Sequence, residues 1–174
     1  MCRAAIIGNA AGGKSTLCRH IVRAHALPHV AVDRLQWKPN WTPVPEDQVS
    51  HELRQVIDQN RWLIDGWGPW ESIEARFERA DTIIVVDHPL WRHLWWATKR
   101  QIKAWGRPDT IEKPSGCNLA PMTWQMYRMI WHIHFHLRPK LLQLVAQFKG
   151  RKVIHHLRSP RDHHQFVHAH CVPA

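Results

Sequence analysis

The chain has 174 residues, 44% of them hydrophobic and 22% charged, which supplies a buried core and excludes a disordered chain. Its formal charge of +10 is lopsided: residues 1–87 carry 10 Lys/Arg against 11 Asp/Glu, whereas residues 88–174 carry 14 against 3, so the second half points to an anionic partner. No apolar run reaches membrane-spanning length, the N-terminal run is too short for a signal peptide, and the four cysteines form no C-x-x-C pair and read as free thiols of a reducing cytoplasm.

The apolar run 4–7 ends in glycine and predicts a buried strand. Leu17, Cys18, Ile21 and Val22 recur at helical spacing, and Pro28 closes that helix. Residues 29–32 predict a second strand closing on Asp33, followed by a loop over 34–44. Pro45 opens a helix with Val49, Leu53, Val56 and Ile57 on its apolar face. Residues 62–64 form a third strand closing on Asp65-Gly66, with a short helix over 70–79. The clearest strand is 82–86, ending at Asp87, and a basic amphipathic helix follows over 90–105. Residues 106–121 read as a loop, 122–148 as a helix interrupted near Pro139, and 152–155 as a fifth strand before a last helix. Apolar strands alternating with helices predict one α/β domain, a parallel sheet covered on both faces, with 90–140 inserted between the fourth and fifth strands.

One motif carries chemistry. Gly8-Asn9-Ala10-Ala11-Gly12-Gly13-Lys14-Ser15 matches G-x-x-x-x-G-K-[ST] after a strand and at a helix start. In such a loop the backbone N–H groups face phosphate oxygens and the helix N-terminus adds positive charge. Lys14 can reach β- and γ-phosphates, and the Ser15 hydroxyl can hold Mg²⁺. Asp33, Asp65 and Asp87 each close a strand, at the edge where α/β sheets bind ligands. Asp65 reads as functional; Asp33 fits a functional role or a helix cap equally; Asp87, ahead of His88-Pro89, reads as the strand's end.

The basic helix sets Arg92, Lys99, Arg100 and Lys103, with Arg107 beyond, against a row of tryptophans. A lid over a transferring phosphoryl group, a membrane-surface helix and a nucleic-acid patch all fit, and the P-loop favours the lid. The histidine pairs His132/His136 and His164/His168 read as surface residues that add charge below about pH 6.5.

These residues resemble the adenylate-kinase-like P-loop small-molecule kinases, and within them the DNA topology modulation (FlaR-type) proteins. The segments that carry the resemblance are 6–17, 32–41, 61–66, 80–84, 106–109, 116–117, 138–139 and 157–159. The resemblance implies a three-layer P-loop NTPase fold, a five-stranded parallel sheet in the order 2-3-1-4-5 and a helical lid over 99–140. It implies ATP phosphates on residues 8–16, Thr16 included, with Mg²⁺ held by Ser15 and Asp65. Arg100 and Arg107 would act at the phosphates with Lys14, and Arg158 would lie near the adenine. Asp33, Trp37, Asp65, Gly66 and Arg138 would face the acceptor, with Asp33 orienting or deprotonating its hydroxyl. The family continues Asp-Gly with Asn-Tyr; here the chain reads Trp67-Gly68-Pro69-Trp70. The implied activity is Mg²⁺-ATP-dependent phosphoryl transfer to a small acceptor, a nucleoside or nucleotide among the candidates. The alternative is a nucleotide-binding protein that binds DNA through its basic half.

Overall fold

The computed structural model describes residues 1–38, 42–106 and 122–172. Five strands form a parallel sheet: β1 (Arg3–Gly8), β2 (His29–Ala31), β5 (Trp62–Asp65), β6 (Thr82–Val86) and β7 (Val153–Leu157), in the order β2-β5-β1-β6-β7. In chain order of these five strands this is 2-3-1-4-5, the expected order. Between them run α1 (Lys14–His25), α3 (Glu46–Ile57), α4 (Trp70–Arg79), α5 (Leu90–Gly106), α6 (Met122–His132), α7 (Arg138–Gln147) and, after β7, α8 (Pro160–Cys171).

Alternation along each strand sorts the core into two layers. Ala4, Ile6, Ile84 and Val86 point to one face, where they pack with Leu17, Cys18 and Ile21 of α1 and Phe166 of α8. Ala5, Ile7, Ile83 and Val85 point to the other, against α3, α4 and α7 through Leu53, Phe77 and Leu144. A smaller cluster of Ala97, Met126 and Ile130 joins α5 to α6. No described helix is long and apolar enough to cross a membrane.

Three expectations change. The second strand stops at Ala31, and residues 32–44 are not simply loop. Val32–Gln36 is a short helix, α2, and β3 (Trp37–Lys38) pairs antiparallel with β4 (Thr42–Pro43). The buried Val32 side chain tucks against the Gly66 and Gly68 backbone, which draws the chain off the sheet edge. The fifth strand is shifted and longer, running through His155 and His156 to Leu157, because pairing with β6 continues past the apolar residues. The interruption near Pro139 is a π-helical turn over Ile133–Leu137, leading into α7 with Pro139 in its first turn. Proline supplies no N–H there, so the turn ahead of it can widen without losing a donor. The loop expected over 106–121 lies outside the described residues, except that Gly106 closes α5.

Candidate active site

The phosphate-loop motif sits between β1 and α1, on the carboxyl edge of the sheet's central strand. Gly8 ends β1 opposite Val86, so close that an added Cβ would lie 2.2 Å from the Val86 carbonyl oxygen. Ala11 and Gly13 take left-handed backbone angles, with φ of 56° and 84°. Gly13 precedes the helix without a side-chain cap, which leaves the first N–H groups of α1 directed at the loop. Lys14 Nζ donates to the carbonyls of Gly8 at 3.1 Å and Asn9 at 2.9 Å, so the ammonium lies folded over the loop. Ser15 and Thr16 are exposed at the helix start.

Neighbouring elements brace this loop. Asn9 Nδ2 donates to the Ile130 carbonyl at 2.8 Å, and Asn9 Oδ1 accepts from the Ala10 N–H at 2.8 Å. His93, fully buried on α5, bonds the Ala10 carbonyl through Nδ1 at 2.8 Å. A carbonyl only accepts, so Nδ1 carries the proton. Burial lowers the His93 pKa to about 4, which keeps the ring neutral. The His93 ring and the His163 ring wall Gly12 and Gly13, each with Cε1 3.1 Å from where a Cβ would stand.

Ionisable groups on neighbouring elements influence one another beside the loop. Asp33 lies in the first turn of α2 and is exposed, with protein packed around it. That burial raises its pKa; Lys14 and Arg100 pull it back down, and Asp65 pushes it up. Arg100 in turn is lowered by burial and raised by Asp33, and its guanidinium reaches Met126 Sδ at 3.3 Å. The phosphate loop, the segment after β2 and the basic helix thus share one electrostatic neighbourhood.

Asp65 is buried at the end of β5 and accepts from His29 Nε2 at 2.9 Å. The Cys18 thiol lies beside the same carboxylate, and burial followed by the Asp65 charge pushes that thiol well above its ordinary range. The Cys18, His29 and Asp65 donor atoms lie within 4.8 Å of one another. Asp65 is the buried carboxylate next to α1, and the exposed Ser15 hydroxyl supplies a hard oxygen suited to Mg²⁺.

The remaining residues divide. Gly66 lies beside Asp33, with Asp33 Oδ1 3.5 Å from its added Cβ position, and half-buried Trp37 follows α2 and opens β3. Arg138 stands elsewhere: it forms two bonds to Asp87 at 2.5 and 2.8 Å, at the end of β6. There it lines a crevice with Gly8, Asn9, Trp67 and His93, across β1 from Gly66. Arg158 is exposed after β7, with its guanidinium 3.3 Å from His156 Nδ1, and His156 Nε2 donates to Asp87 at 2.8 Å. Arg107 and Trp41 lie outside the described residues.

Trp67 was expected to line the acceptor side, but its bond to the loop was not, nor were the roles of Arg76 and Asp87. Trp67, at the departure from the family pattern, donates its indole N–H to the Gly8 carbonyl at 3.0 Å and ties the turn after β5 to the phosphate loop. Arg76 is fully buried and donates to the Ser72, Gly66 and Trp67 carbonyls, which holds that turn in place. A charged residue on the apolar face of α4, beside Ile73 and Phe77, was the available signal. Asp87, read as a strand end, is a hub for Arg138 and His156; both partners hold its carboxyl far below the usual range despite burial.

No protein-family model matches the chain, and no curated protein matches it in sequence. The narrower likeness to the DNA topology modulation proteins therefore rests on the residue segments alone. Solved structures do match. A sugar kinase from Janibacter sp. HTCC2649, without ligand, aligns over 97% of this chain and 91% of its own at 11% identity and a TM-score of 0.50. Shikimate kinase from Acinetobacter baumannii, in complex with shikimate, aligns over 87% and 96% at 15% identity and a TM-score of 0.47. The chain shares the fold of that sugar kinase, a five-stranded parallel sheet covered by helices on both faces.

Proposed function

We propose that the chain is a Mg²⁺-ATP-dependent phosphotransferase acting on the hydroxyl of a small acceptor. The observation that carries this reading is the G-x-x-x-x-G-K-S turn between β1 and the start of α1, with uncapped helix N–H groups and Lys14 folded over the loop. Loop N–H groups and Lys14 would bind the phosphates, with Ser15 and Asp65 holding the metal. Bound Mg²⁺ supplies charge neutralisation on the phosphate oxygens. Arg100, and Arg107 beyond it, would stabilise negative charge on the transferring group. Asp33 would orient or deprotonate the acceptor, and its raised pKa suits a proton acceptor. Trp37, Gly66 and the Trp67 turn would shape the acceptor side. Arg138, held on Asp87 across β1 from Gly66, has no part in this reading as an acceptor residue, and Arg158 would lie near the base.

The test is an ATP-consumption screen over nucleosides, nucleotides and small alcohols, with products identified by mass. Lys14→Ala should abolish turnover while leaving the fold intact; turnover that survives it would remove the site assignment. Asp33→Asn should keep nucleotide binding and lose roughly 10²–10⁴-fold in kcat.

A further inference from the structure

Seven of the nine exposed large hydrophobic side chains among the described residues lie on α5, α6 and the π-helical turn. On α5, Trp91, Trp95 and Ile102 fall at i, i+4 and i+11, a single stripe along the helix. On α6 and its π-helical continuation, Trp124, Trp131 and Phe135 fall at i, i+7 and i+11, again a single stripe. All six are between 48% and 70% exposed.

The two stripes lie on the same side of the helix pair. Tyr127 and Thr98 meet through their hydroxyls at 2.7 Å. Thr98 stands between the packed row of Leu94 and Ala97 and the exposed row of α5. Tyr127 stands likewise between the packed row of Met126 and Ile130 and the exposed row of α6. The exposed rows therefore flank one seam and form one continuous face.

Charge selects what meets this face. Neither α5, α6, the π-helical turn nor α7 carries an acidic residue. Lys99, Lys103 and Arg128 are exposed and Arg92 is half-exposed on the same helices. A second copy would bring like charges together. Stacking of nucleic-acid bases needs free ring faces, yet the Arg92 guanidinium sits 4.8 Å from the Trp91 ring centre and Lys99 Nζ 4.9 Å from that of Trp95. The Trp131 and Phe135 rings lean on each other at 4.6 Å, and Ile102 has no ring to stack. Tryptophans whose faces carry cations, mixed with aliphatic residues and free of acid, match the interface of an anionic lipid surface.

We infer that the α5–α6 face binds anionic membrane surfaces peripherally, with the aromatic and aliphatic side chains immersed at headgroup level and the basic residues on lipid phosphates. This is independent of the phosphotransfer reading, because the assay measures partitioning and uses no nucleotide. The full chain is sedimented with vesicles of phosphatidylcholine alone and of phosphatidylcholine mixed with phosphatidylglycerol, at low and at physiological salt. Binding is expected to the mixed vesicles, weakening with salt. Trp91→Ser with Trp131→Ser should cut that binding roughly tenfold or more at fixed salt, since each side chain loses its burial in lipid. In the unaltered chain, brominated phosphatidylcholine in the mixed vesicles should quench tryptophan fluorescence, which keeps the test open if the double variant misfolds. Absence of binding to mixed vesicles at low salt overturns the proposal. So does binding without quenching, or binding that the folded double variant keeps in full, because attraction is then by charge alone. Retention on single-stranded DNA that depends on these tryptophans, with no vesicle binding, overturns it in favour of a nucleic-acid surface.

Discussion

The Arg138 guanidinium clasps the Asp87 carboxylate through two bonds of 2.5 and 2.8 Å, joining the first turn of α7 to the end of β6 across 51 residues of chain. Asp87 is nearly buried, with a side chain 7% exposed, whereas Arg138 is partly open at 38%. An asparagine there keeps one acceptor oxygen but removes the charge and sets an NH2 donor against the Arg138 and His156 donors. Asp87→Asn should cost about 2 kcal/mol, below the full value for a buried pair because the arginine stays solvated. The paired carboxyl is held below its ordinary 3.8, so its contribution is complete above that value and lost as pH falls through the folded pKa. Urea denaturation should show a gap between the two proteins that is constant near neutrality and narrows below about pH 4.

Arg76 offers a second point of leverage. Its guanidinium satisfies the Ser72, Gly66 and Trp67 carbonyls inside the protein. A lysine carries the charge but not the planar fork that spans all three. Arg76→Lys should lower stability by about 2–4 kcal/mol. It should also loosen the Trp67 bond to Gly8. Chemical denaturation checks the first outcome, and increased proteolysis or hydrogen exchange at residues 66–69 checks the second.

Gly8 and Gly150 give a matched contrast. At Gly8 an added Cβ would strike the Val86 carbonyl at 2.2 Å, and the two strands cannot part without breaking the sheet at its centre. At Gly150, with φ of +78°, nothing lies within 4 Å. Gly150→Ala should cost about 1 kcal/mol, the penalty of a left-handed alanine. Gly8→Ala should cost about 3 kcal/mol or more. Equal midpoints for the two variants in thermal unfolding would contradict the close approach of β1 and β6.

Acid should act through His93. Above its ordinary 6.5 the ring is neutral in both folded and unfolded chains, so nothing is lost. Below that, the unfolded chain takes up a proton that the folded chain refuses down to about 4, and stability falls. Between about pH 7 and about pH 5 the contribution from this ring is on the order of 2 kcal/mol. His93→Asn keeps a donor near Ala10 and removes the titration. Its stability should fall less steeply over the same range in urea denaturation measured at each pH.

Much of the scaffold could be read directly. A parallel sheet covered on both faces demands strands that are apolar throughout, so Ile6-Ile7, Leu63-Ile64 and the run 82–86 announce themselves. The G-x-x-x-x-G-K-S motif is equally plain, because it is defined by fixed glycines and Lys14 at fixed spacing along the chain. Short elements held by distant neighbours were not plain. The helix after Ala31 follows from Val32 packing near Gly66 and Gly68, more than 30 residues away, and β7 extends through two histidines because β6 lies beside it.

The amino-acid sequence by itself determined the apolar strands, the G-x-x-x-x-G-K-S motif and the basic bias of the second half, since each depends on local pattern or on composition; the strand order came only with the resemblance and rests on pairing between distant strands. Tertiary structure alone decided which polar groups meet. Asp87 reads in sequence as a strand end, and only folding brings Arg138 and His156 to it. Trp67 reads as a break in a family pattern, and only folding turns its indole N–H onto Gly8. Such bonds join residues brought together from far along the chain, and their geometry depends on how whole elements pack. The basic excess shows the same division: sequence places it in the second half, and packing divides it between Arg100 near Asp33 and an exposed aromatic face on α5 and α6.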